Sequence, residues 1–129
     1  MKKIVAMLLL LCFSQFSVAN DTDKSLFIQA KALIKSENFT AAIPLLKQYV
    51  KDLDKEALKE VYLELANAYY SLNNENETLR NIKLAISKGG LTEEGFIYSK
   101  VLHVKTSQFA WQYFYENFDK LRSKYLKSI

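Results

Sequence analysis

Cysteine occurs once in this chain, at Cys12, histidine once, at His103, proline once, at Pro44, and glycine only three times. Each scarcity excludes something. A lone cysteine cannot build a disulfide scaffold, and one cysteine with one histidine cannot fill a four-ligand zinc site. All-β folds need glycine and proline for their many turns, so the shortage of both argues for helices. Gly89, Gly90 and Gly95 do not make a phosphate-cradling loop. His103 stands between Leu102 and Val104 with no nucleophile in recognisable register, so nothing suggests a catalytic triad. Glu60 with Glu64, and Asp52 with Glu56, share helix faces and read as solvated edges rather than as an acid/base dyad. The expectation is a binding protein with no catalytic residue, no metal and no cofactor.

Half of the 129 residues are hydrophobic and a quarter are charged, which fits one packed domain rather than a disordered chain. The first residues read differently from the rest. Lys2 and Lys3 precede an apolar run at residues 4–13, followed by SQFSVAN with small Ser17 and Ala19 two apart. This is the layout of a secretory signal peptide over residues 1–19, cleaved after Ala19, and the run is short for a spanning helix. Leu11 before Cys12 is wrong for a lipoprotein. The expected location is across the inner membrane, in the periplasm. Without Lys2 and Lys3 the balance falls from 18 basic against 14 acidic residues to 16 against 14. The remainder is uneven: residues 20–78 carry 7 basic and 10 acidic side chains, residues 79–129 carry 9 and 4. Nucleic acid is an improbable partner for an exported protein, so a protein or an anionic membrane surface is the better use of that charge.

Apolar residues recur at helical spacing through most of the mature chain. The pattern predicts helices over residues 24–36, 41–51, 56–72 and 75–88. The first is capped by Thr22 or Asp23 and the second by Thr40, with Pro44 in the second helix's first turn. Asn73-Asn74 and Gly89-Gly90 supply stops. A fifth helix is expected from Glu93 to about Val104, capped by Thr92, and a sixth over residues 108–127. The connections are short, so sequence neighbours should pack antiparallel, giving helix pairs at about 24–52, 56–88 and 92–127 within a domain of residues 20–129.

The first pair lies on the second with an offset of 36 residues: Ala30 on Ala66, Leu33 on Tyr69, Ala42 on Thr78, Leu46 on Ile82. The order large, small, aromatic, loop, small, large resembles the tetratricopeptide repeat family. Leu65-Ala66 followed by Tyr69, then Ile82 and Ala85, carries the resemblance best. Thr78 departs from the family's usual alanine, Tyr49 stands where a small residue is usual, and no proline closes either repeat. The resemblance implies an all-α fold, a short right-handed solenoid of about three hairpins. It also implies a scaffold that holds a protein or peptide in the groove lined by the first helix of each pair. Carried over by position, the groove candidates are Phe27, Lys31, Ile34, Lys35, Leu63, Asn67, Tyr70 and Ser71, with Asn67 where the family often grips a ligand backbone.

The last predicted helix is aromatic nearly all round its first half and basic in its second. Trp111, Phe114, Phe118 and Leu121 form a stripe suited to closing the array. Phe109, Tyr113 and Tyr115 are left over as a candidate interface. They suggest an alternative, a module that docks on the envelope membrane or self-associates as a homo-oligomer through this helix. An enzyme with a cryptic carboxylate site is the third reading.

Overall fold

The computed structural model describes residues 22–51 and 55–129, with side chains from Ser25 to Lys51 and from Ala57 to Ile129. The leader expected at residues 1–19, the caps Thr22 and Asp23 as side chains, and the connection at 52–54 lie outside the described residues. Within them every regular element is helical: α1 (Thr22–Lys35), α2 (Phe39–Val50), α3 (Lys55–Ser71), α4 (Glu75–Ser87), α5 (Glu93–Ile97), α6 (Val104–Phe114) and α7 (Phe118–Ser128). No helix among the described residues is long and apolar enough to cross a membrane.

The first four helices form two hairpins, α1/α2 and α3/α4, with α2 packed on α3. Their loops are the same structure repeated 36 residues apart. Glu37 and Asn73 both take the left-handed conformation, at φ 62° and 61°. In the first loop Glu37 N–H donates to the Ile34 carbonyl at 2.9 Å and Asn38 N–H to Leu33 at 2.8 Å. In the second, Asn73 N–H donates to Tyr70 at 3.0 Å and Asn74 N–H to Tyr69 at 2.9 Å. This paired bond satisfies carbonyls that a helix end leaves bare. Asn38 and Asn74 then each start the next helix, their side-chain oxygens accepting from Ala41 and Glu77 N–H. The expected cap Thr40 is therefore corrected to Asn38. Helix α2 begins two residues earlier than the pattern suggested, and Pro44 falls in its second turn. The Thr40 carbonyl loses its bond there, but Thr40 and Pro44 are both exposed, so water can serve it.

The register holds in the core. Ala30 and Ala66, Ala42 and Thr78, and Leu46 and Ile82 are all fully buried. Thr78 is tolerated where Ala42 sits because its hydroxyl donates to the Asn74 carbonyl one turn back, at 2.7 Å. Ala66, Ala68 and Ala85 are fully buried, and Val61, Leu65 and Ile86 fill the same core.

After Gly90 the chain departs from the expected third pair. Thr92 does cap a helix, its hydroxyl accepting from Gly95 N–H at 2.9 Å, but α5 has only five residues. Residues 98–103 are irregular. The helix expected over 108–127 is two, α6 and α7, separated at residues 115–117. The bend lets residues from both sides reach one aromatic centre: the Phe96 ring, almost fully buried, lies 5.6 Å from Trp111 and 6.2 Å from Phe118. Neither glycine nor proline marks it. Helix α6 packs on α3 and α4, and α7 on α4, so these two helices lie against the second hairpin rather than forming a third. Phe114, Phe118 and Leu121 are buried there as expected, and Trp111 partly so.

Candidate functional site

The face shared by α1 and α3 brings several candidate residues together. Phe27 stacks on Tyr49 of α2 at 4.9 Å, which fixes its ring, and the Lys31 ammonium lies 4.9 Å above that ring's centroid. Lys31 Nζ is also 3.2 Å from Glu60 Oε1 of α3. The Glu64 carboxyl lies one turn further on. Burial raises it above its ordinary value of 4.5, Lys31 draws it down, and Glu60 pushes it up. One exposed cation thus stands near two carboxylates, linking α1 to α3 across the surface and leaving charge there. Ile34 is half-buried beside this cluster and Lys35 is exposed at the end of α1. Glu60 and Glu64 were read from the sequence as a solvated edge. Their four-residue spacing was visible there, but the lysine 29 residues away was not.

The other end of the predicted groove is closed. Asn67 is fully buried, and both ends of its amide are in use. Its Nδ2 donates to the Val101 carbonyl at 2.8 Å, and its Oδ1 accepts from His103 N–H at 2.9 Å. Asn67 as a groove contact for a partner is therefore corrected. It grips a backbone, but the backbone is the chain's own, because the irregular segment 98–103 crosses α3 at this point. Leu63 is buried as well. Tyr70 is half-buried under Phe109, ring centroids 5.1 Å apart, and Ser71 donates to the Asn67 carbonyl at 2.9 Å. Beside them Tyr70, Ser71 and Asn73 line a cavity of about 400 Å³ with His103 and Lys105 on its far wall.

The candidate C-terminal interface divides in the same way. Phe109 sits between Tyr70 and Tyr113, at 5.1 and 5.5 Å, and is half-buried. Tyr113 and Tyr115 are about half exposed. Between α4 and the α6/α7 bend, Tyr113 joins Leu79, Arg80, Lys83 and Asn117 around an open cleft of about 380 Å³. Among the described residues no three His, Cys, Asp or Glu side chains are grouped so as to hold a metal ion. Compared with family models, with curated proteins and with solved structures, the chain matches none.

Proposed function

We propose that this protein is an exported, periplasmic scaffold of tetratricopeptide type that binds a protein or peptide partner without performing chemistry. The observation that carries the reading is the exact return, 36 residues on, of a whole loop: a left-handed residue, two closing hydrogen bonds and an asparagine cap. Repeated hairpins of this kind stack by their buried faces and offer their first helices as one continuous surface. Here that surface is the open half of the α1/α3 face: Phe27, Lys31, Ile34 and Lys35 with Glu60 and Glu64. Asn67 and Tyr70 lie at the closed end and hold the chain's own segment and Phe109 rather than a partner. A segment carrying both an acidic group for Lys35 and a basic group for the Glu60–Glu64 edge fits the charge pattern.

The test is co-purification from envelope extract with the wild-type chain, a Lys31→Glu/Lys35→Glu variant and a Lys47→Glu control on α2. A discrete protein retained by wild type and control but lost with the double variant supports the α1/α3 face. Equal retention by all three would sink it.

A further inference from the structure

Residues 96–104, from the end of α5 to the start of α6, contain two kinds of position. Phe96 and Leu102 are inside the core. The backbone around them is pinned by Asn67, which takes Val101 and His103, and by Ser99 Oγ, which accepts from Val101 and Leu102 N–H at 3.2 and 3.0 Å. Flanking these fixings, Ile97, Tyr98 and Val104 are 49%, 76% and 71% exposed. A segment so firmly held that still turns three large apolar side chains to water presents them by construction.

Ile97 and Val104 share a surface, and Tyr98 follows Ile97 in the chain. Ile97 and Trp111 line the same cleft of about 400 Å³, and Ile97 and Val104 line the one beside it. Tyr115 extends the surface, its ring 6.3 Å from that of Trp111. Lys100 and Lys105, from the same stretch of chain, are exposed, and Lys105 lines a cleft together with Val104. Residues 95–115 contain no Asp or Glu; Glu93 and Glu94 border the patch at one end and Glu116 at the other. Aliphatic side chains with Trp and Tyr, interleaved with lysine, are the residues that sit well at a bilayer interface. The local positive charge is complementary to anionic headgroups. A headgroup layer yields around protruding side chains, whereas a folded protein would need a matching pocket for each.

We propose that residues 97–105, with Trp111 behind them, dock this protein on an anionic phospholipid surface. Ile97, Tyr98 and Val104 enter the boundary between headgroups and acyl chains, and Lys100 and Lys105 meet the phosphates. Asn67 is the positioning residue that holds the segment in place. The contact is separate from the α1/α3 face and does not depend on it. It also moves membrane docking away from the basic C-terminal helix that the sequence suggested.

The test uses vesicles of phosphatidylcholine with and without phosphatidylglycerol, followed by co-sedimentation and by the emission of Trp111, the single tryptophan of the chain. It is run on the full chain and on the chain from Asn20 onward, so that any affinity of the apolar leader is scored separately. The expected result is that the chain from Asn20 sediments with phosphatidylglycerol vesicles and not with phosphatidylcholine alone. Trp111 emission shifts to the blue and is quenched by acyl-brominated lipid. Ile97→Ser/Tyr98→Ser/Val104→Ser and Lys100→Glu/Lys105→Glu each weaken partitioning about tenfold or more, with melting curves unchanged. Three results overturn the proposal: undiminished partitioning of the triple variant, sedimentation with no change at Trp111, or no sedimentation of the chain from Asn20. Self-association abolished by the triple variant, with no vesicle binding, overturns it too. Should that variant fail to fold, quenching of wild-type Trp111 decides alone: its presence supports the contact and its absence overturns it.

Discussion

Asn67 and Glu64 sit one turn apart on α3 and are held in opposite ways. Asn67 is buried with both ends of its side-chain amide bonded to the segment at 101–103. Truncating it to alanine leaves a carbonyl and an N–H without partners in a place water reaches poorly. Asn67→Ala is expected to lower unfolding free energy by about 2 kcal/mol, measured by urea titration. A variant as stable as wild type would show that the segment finds other partners. Glu64 is instead a carboxyl that burial disfavours as an anion. Its folded pKa is raised, so the folded state holds this proton more tightly than the unfolded chain does. The associated stability is fully present below the ordinary carboxylate value of 4.5 and is lost as pH rises through the folded value. Glu64→Gln, neutral at every pH, avoids that loss. Its melting temperature is expected to exceed that of wild type at neutral pH, with the gap narrowing as pH falls toward 4.5. A wild-type advantage at neutral pH would mean that the attraction of Lys31 outweighs burial.

The helices and loops follow from local chemistry up to Gly90 and from tertiary contact beyond it. The two hairpin loops use the same left-handed position, but one has asparagine there and the other glutamate. Asparagine tolerates that conformation, and glutamate pays in side-chain crowding. Glu37→Gly should therefore stabilise the protein by about 0.5–1 kcal/mol, read as a higher urea midpoint at unchanged slope, while Asn73→Ala should destabilise it. If Glu37→Gly proves neutral or worse, the strain assigned to Glu37 is absent. This part of the fold was legible in the sequence because periodicity, caps and stops all act within a few residues. The Ala30/Ala66 and Leu46/Ile82 register was visible for the same reason. The cap at Asn38 was missed because Thr40 offered an equally good side chain two positions on.

Beyond Gly90 the deciding contacts are long-range. Residues 98–103 have enough apolar side chains to continue a helix, but the amide of Asn67, more than thirty positions away, takes the backbone groups a helix would have used. The bend at residues 115–117 answers to Phe96, on another element, and not to any glycine or proline nearby. The same blindness applied to the site: the pairing of Lys31 with Glu60, 29 residues away, depends on how α1 lies beside α3. Gly90 shows the reach of such contacts. It is left-handed at φ 73°, and a Cβ there would meet the Tyr125 ring of α7 at 2.5 Å, so α7 seats directly on the turn that ends α4.

Taken whole, the described chain is two like hairpins closed by a three-helix segment that covers α3 at Asn67 and Tyr70. Closure leaves two surfaces of different character. One is the charged α1/α3 face around Lys31, Lys35, Glu60 and Glu64, suited to a polar partner segment. The other is the apolar, acid-poor edge at residues 97–105, suited to a lipid surface. The central claim is that the first of these is where a partner binds. Site-specific photo-crosslinking in intact cells tests it most directly, with the reactive group placed in turn at Lys35 on α1 and at Lys47 on α2. A discrete adduct from Lys35 that is missing from Lys47 is the predicted result. No adduct from Lys35, or the same adduct from both positions, would contradict it.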